Sequence, residues 1–172
     1  DEKFIGYLNN KPYCRKCISL RRGKRANDII FTNKEIIKAK IDYGLTDTQQ
    51  KASNEILNYV KNNKSVILNA VCGAGKTELV YQAIEYFINN NKKVAFAIPR
   101  KDVCKEIYLR LKKDYPNVSM SLVYGGHNKI IEAQLVILTT HQLYRYPSYF
   151  DLLILDEADA FPYYHNELLN VF

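Results

Sequence analysis

No apolar run in this sequence approaches the ~18 residues that a membrane-spanning helix needs, which argues against a direct membrane span. The opening Asp1-Glu2-Lys3 is acidic and no apolar stretch of signal-peptide type follows it, so nothing there reads as a secretion signal. There are only four cysteines, Cys14, Cys17, Cys72 and Cys104. One C-x-x-C pair is present and no second one, so a closed four-cysteine metal site cannot be assembled from spacing alone. Acidic side chains are also scarce: 18 against 25 basic ones, for a net charge of +7. That balance, with a pI near 9.1, suits a polyanionic partner without proving one.

The 172 residues are 47% hydrophobic and 25% charged, enough for one domain with a true core and a small appendage. The chain opens on Asp1 rather than Met and runs to Phe172 with no terminating signal, and it reads as part of something longer.

The rest is organised around Val66-Ile67-Leu68-Asn69-Ala70-Val71-Cys72-Gly73-Ala74-Gly75-Lys76-Thr77. An apolar run of strand length passes into a glycine-rich turn that opens a helix, the context of a phosphate-binding P-loop. Gly73 and Gly75 lack the Cβ atoms that would keep backbone N–H groups from phosphate oxygens, and Ala74 lies between them. The helix start adds unpaired N–H groups and partial positive charge. Lys76 would reach the β- and γ-phosphates, and the Thr77 hydroxyl would hold Mg²⁺. Ala70 stands where the common pattern has its first glycine, giving the A-x-x-G-x-G-K-T form usual in superfamily 2 helicases. The bland alternative is a helix start rich in small residues.

Eighty residues on, Asp151-Leu152-Leu153-Ile154-Leu155-Asp156-Glu157-Ala158-Asp159 is an apolar strand ending in a carboxylate cluster. A strand has no structural need for acids that repel one another at its end. Opposite a P-loop they have a use: Asp156 for Mg²⁺, Glu157 for the attacking water.

In chain order, residues 1–28 form a cysteine-bearing segment with a basic linker. Cys14 and Cys17 would supply half of a tetrahedral Zn²⁺ site; a free reduced pair or a redox motif are the alternatives. Residues 29–172 form the main domain. Thr46 or Asp47 caps a helix carrying Ile56, Leu57 and Val60, with Gln49 in its first turn. A second helix follows the P-loop, Lys93–Pro99 is a strand, and Val103, Ile107 and Leu111 mark another helix. Val118–Tyr124 and Leu135–Thr140 are further strands. The alternation predicts an α/β fold with a covered parallel sheet. Gly73, Pro99-Arg100, Gly125-Gly126, Thr139-Thr140 and Asp156 all fall at the carboxyl ends of strands, where such sheets gather ligands.

These landmarks resemble the first motor domain of superfamily 2 helicases, and more closely the ComFA family of late-competence ATPases, which drive transforming single-stranded DNA into Gram-positive-type bacteria. The resemblance rests on Ala70–Glu78, Pro99–Cys104, Thr139-Thr140-His141-Gln142-Leu143 and Leu155-Asp156-Glu157-Ala158-Asp159-Ala160-Phe161-Pro162-Tyr163, and covers roughly residues 12–172. It implies a RecA-like P-loop NTPase domain, incomplete at its carboxyl end, after a partial zinc segment. It implies ATP and Mg²⁺ as cofactors, with Zn²⁺ in the longer protein, and adenine read by Gln49. The DNA backbone would be held by Pro99, Arg100, Gly125, Gly126 and Thr140. Single-stranded DNA and other competence proteins at the membrane uptake channel would be the partners, with the protein cytoplasmic at the inner face of the membrane.

The upstream cysteine pair of that family is not in this sequence, nor is the motif III strand that lies between the P-loop strand and the Asp-Glu strand, nor the second motor domain with its arginine finger. The fragment alone is therefore expected to be poorly folded and inactive. The rival readings are a DEAD-box RNA helicase, which shares the Asp156–Asp159 tetrapeptide, and a nucleotide-binding fragment without turnover. DEAD-box proteins usually carry P-T-R-E-L after the second strand, where this chain has Pro99-Arg100-Lys101-Asp102.

Overall fold

A computed structural model describes residues 5–8, 11–14, 35–41, 44–69, 75–127, 132–146 and 148–157. Near the N-terminus β1 (Ile5–Leu8) and β2 (Lys11–Cys14) form an antiparallel pair, with Ile5 opposite Cys14. The main body runs α1 (Asp47–Lys61), α2 (Lys76–Leu79), α3 (Tyr81–Asn89), β3 (Val94–Ile98), α4 (Lys101–Asp114), β4 (Met120–Val123), β5 (Leu135–Thr139), a 3₁₀ helix (Thr140–Arg145) and β6 (Leu152–Leu155). Strands β3 to β6 make one parallel sheet in the order β4-β5-β3-β6. No helix among the described residues is long and apolar enough to cross a membrane.

Every residue of β3 and β5 is buried, as expected of central strands covered on both faces. Alternation sorts them into two cores. Val94, Phe96 and Ile98 join Leu135 and Ile137 beneath Ile56, Ile84, Ile107 and Leu111 of the helices. Ala95 and Ala97 join Val136 and Leu138 under Leu143 and Tyr146 on the opposite face. The small alanines let the short 3₁₀ segment approach the sheet closely.

The strand expected at the P-loop needs correction. Residues 62–69 belong to no strand, and Ile67 is 96% exposed, with Val66 and Leu68 also exposed. A strand holds its shape through a neighbour's hydrogen-bond ladder. Among the described residues β6 is paired with β3 alone, and no strand stands on its other side to receive this segment. The same open flank leaves Leu153 and Leu155 exposed at 37% and 38%, while their registered neighbours Ala95 and Ala97 are fully buried.

Residues 35–41, where the sequence pattern is mixed, form an extended strap tied down by side chains. The Asn89 amide donates to the Ile37 carbonyl and accepts from its N–H, at 2.9 and 2.8 Å. Glu85 Oε1 accepts from Ala39 N at 2.8 Å, and the Asp114 carbonyl from Lys40 N at 2.7 Å. Beneath the strap, the Tyr81 hydroxyl donates to the buried Asp114 carboxylate and the Tyr81 ring meets Tyr115 edge-on. Burial, reinforced by the Asp114 hydrogen bond and charge, pushes the Tyr81 hydroxyl well above its usual range. Tyr81→Phe deletes a donor to a buried carboxylate and should lower stability by about 1–3 kcal/mol, read by urea unfolding. A change near zero would show that Asp114 finds another donor at no cost.

Candidate nucleotide site and DNA-facing surface

The first turn of α1 is built by its own sequence. Thr46 Oγ1 accepts from Gln49 N at 3.3 Å, and Gln49 Oε1 accepts from Thr46 N at 2.9 Å, a reciprocal capping box. This fixes the Gln49 side chain through its amide oxygen and sets the direction of its amide nitrogen. It points at the P-loop: a Cβ built on Gly75 would lie 2.9 Å from Gln49 Nε2. Gly75 itself has φ +74°, the left-handed region that glycine enters without penalty, and it caps α2. The residue expected to read adenine and the last glycine of the loop, distant in sequence, thus meet in space.

Lys76 follows at the start of α2, exposed, with Thr77 half-buried beside it. Glu78 is buried and forms an ion pair with Arg110 of α4. Ser53 of α1, completely buried, donates from Oγ to the Leu79 carbonyl at 2.8 Å. These two contacts tie the helix carrying Lys76 and Thr77 to both neighbouring helices. Neither was anticipated from sequence; a serine and a glutamate at buried helical positions were the only hint. Gly73 and Ala74 lie outside the described residues.

Asp156 and Glu157 close β6. The Asp156 N–H donates to the Ala97 carbonyl at 3.0 Å, prolonging the ladder with β3, and Asp156 Oδ1 accepts from Glu157 N at 3.0 Å. Glu157 has φ +51°, a conformation that costs a non-glycine residue about 1–2 kcal/mol. Such strain is characteristic of functional turns. Thr77 and Asp156 offer hydroxyl and carboxylate oxygens, the hard donors that suit Mg²⁺.

Pro99 and exposed Arg100 follow β3, exposed Gly125 and Gly126 follow β4, and all lie at the carboxyl edge of the sheet. Thr140 follows β5 but is completely buried, which places its hydroxyl inside the domain rather than on a surface offered to a DNA strand. Cys14 sits at the end of β2, and Cys17 lies outside the described residues. Cys104 is fully buried in α4, and burial pushes its thiol up to about 12, so it offers no thiolate. Among the described residues no group of three or more His, Cys, Asp or Glu side chains could hold a metal ion.

Comparison with known proteins places these landmarks. The family described as "Type III restriction enzyme, res subunit" matches residues 42–171. Competence protein ComFA of Streptococcus pneumoniae (strain ATCC BAA-255 / R6) is 38% identical over 163 residues, 91% of this chain and 37% of the relative. Competence protein ComFA of Bacillus subtilis (strain 168) is 36% identical over 183 residues, 98% of this chain and 39% of the relative. The chain therefore spans less than half the length of these curated relatives. With a parallel α/β sheet of RecA-like type and a P-loop helix docked beneath Gln49, the chain belongs to the type III restriction enzyme res-subunit family of helicase-like domains, as a ComFA-like member.

Proposed function

We propose that the full-length protein is an ATP-driven motor that moves single-stranded DNA during natural transformation, with residues 29–172 as its first motor domain. The observation that carries this is the Gln49 amide held against Gly75 by the capping box, which joins a base-reading group to a phosphate-binding turn. In this reading Gln49 receives the adenine edge, and the backbone from Gly73 through Gly75 cradles phosphate. Lys76 places a positive charge on the transferring phosphoryl group, where stabilising developing charge contributes most. Thr77 and Asp156 would hold Mg²⁺, which when bound would neutralise phosphate charge. Glu157 orients water and accepts its proton.

Pro99, Arg100, Gly125 and Gly126 meet the DNA backbone, the contact mode suited to a motor that must ignore sequence. Thr140, being buried, supports the loop rather than touching the strand. Cys14 and Cys17 contribute two thiolates, half of a zinc site that is completed only in the longer protein; the C-x-x-C spacing is what supports this. The competence proteins at the uptake channel are the partners that the ComFA likeness suggests.

The test is ATP turnover and strand binding by the full-length protein with mixed-sequence oligonucleotides at 50 and 200 mM salt. Turnover should rise with single-stranded DNA, and affinity should fall steeply with salt, by about 300-fold if six phosphates of a single strand are contacted. Equal affinity at both salts, or stimulation by RNA in preference to DNA, overturns the reading.

A further inference from the structure

At the carboxyl end of β4 the chain turns through Gly125 and Gly126 and comes straight back at His127. Tyr124 and His127 bridge each other through their backbones, His127 N to Tyr124 O at 2.9 Å and Tyr124 N to His127 O at 3.3 Å. Gly126 makes so tight a return possible with φ +83°. The two rings then stack, centroids 5.1 Å apart and planes within 19° of parallel. From the first turns of α4, Lys101 and Lys105 hold their ammonium groups 4.7 and 5.3 Å from the Tyr124 centroid. His127 and both lysines are exposed, and among the described residues neither lysine is engaged in an ion pair.

A solvated loop needs no ordered ring pair, and two unneutralised ammonium groups gathered at one ring repel each other. Both features have a use if a polyanion carrying flat bases lies across them. We propose that Tyr124, His127, Lys101 and Lys105 form a stacking platform for single-stranded DNA. One base stacks on the exposed imidazole of His127, Tyr124 backs that ring, and the two ammonium groups meet the flanking phosphates. Every base has a π-face, so the platform grips without reading sequence. This deepens the motor reading and rests on it. It adds a contact that holds bases to a surface otherwise offering only backbone contacts.

The experiment is fluorescence anisotropy of the full-length protein with a mixed-sequence DNA strand and with the same strand carrying abasic sites throughout. His127→Ala and Tyr124→Ala should weaken binding of the intact strand on the order of 10-fold, and of the abasic strand hardly at all. His127→Phe, which keeps a flat ring, should retain near-native affinity. Lys101→Gln with Lys105→Gln should weaken both strands and flatten the salt dependence. Unchanged affinity of the ring variants for the intact strand overturns the platform. So does an equal loss on both strands, which would mark the rings as merely structural. If those variants are indifferent while the wild type binds DNA and shows stimulated turnover, the platform falls and the motor reading stands. A wild type that binds no single-stranded DNA removes both.

Discussion

Lys76→Ala in the full-length protein should lower ATP turnover on the order of 10²-fold or more, with or without DNA. The reason is electrostatic: the ammonium group meets charge that develops on the phosphoryl group, and one lost donor of this kind typically has that effect. Because Lys76 is exposed at the head of α2, its removal should leave the thermal transition of the protein in place. The measurement is therefore a pair, steady-state phosphate release and a melting curve. Activity that survives the substitution would remove Lys76 from the chemistry. A lost transition would mean that the side chain is structural instead. Glu157→Gln offers the complementary check, since it keeps shape and hydrogen bonding while removing the carboxylate. Turnover should fall there too, with nucleotide binding retained.

Gly75→Ala should reduce nucleotide affinity on the order of 10-fold, through two separable costs. The first is backbone strain, about 1–2 kcal/mol for a residue with a Cβ held at φ +74°. The second is steric: the new methyl would lie 2.9 Å from Gln49 Nε2 and 3.4 Å from Glu78 Oε2. A glutamine tip can usually swing aside, but this one is pinned, because its Oε1 accepts from Thr46 N at 2.9 Å and from Thr46 Oγ1 at 3.1 Å. Moving it opens the capping box that starts α1. Combining Gly75→Ala with Gln49→Ala separates the two costs. The double variant should recover the steric part and keep the backbone part, so its loss should be smaller than the sum of the singles. Wild-type affinity in Gly75→Ala would show that the loop does not need its left-handed turn.

What the sequence determined by itself was everything with a local cause. Thr46 and Gln49 begin α1 because their side chains satisfy N–H groups within three residues of each other. Val94–Ile98 and residues 135–138 are continuous apolar runs of the kind covered central strands carry, and they are buried. The stripe Val103, Ile107, Leu111 turns α4 onto the sheet, with Ile107 and Leu111 buried there. The order of the motifs along the chain likewise singled out Lys76, Thr77, Asp156 and Glu157 as the residues proposed for the site.

Tertiary structure decided whatever depends on a partner distant in sequence. Val66–Leu68 has a strand's composition, yet it is no strand here, because pairing requires a neighbour and β6 presents none to it among the described residues. Thr140 looked like a surface contact, and the packing of the 3₁₀ helix on β5 buried it. Glu78 with Arg110, Ser53 with Leu79 and the Gln49–Gly75 approach join segments 26 to 32 residues apart, beyond the reach of any local pattern. The Tyr124–His127 stack is only three residues wide, but it appears only when the Gly125-Gly126 turn folds back on itself and α4 swings two lysines over the ring. Periodicity reports which face a residue turns to the core; it carries no information about which side chain stands on the other side.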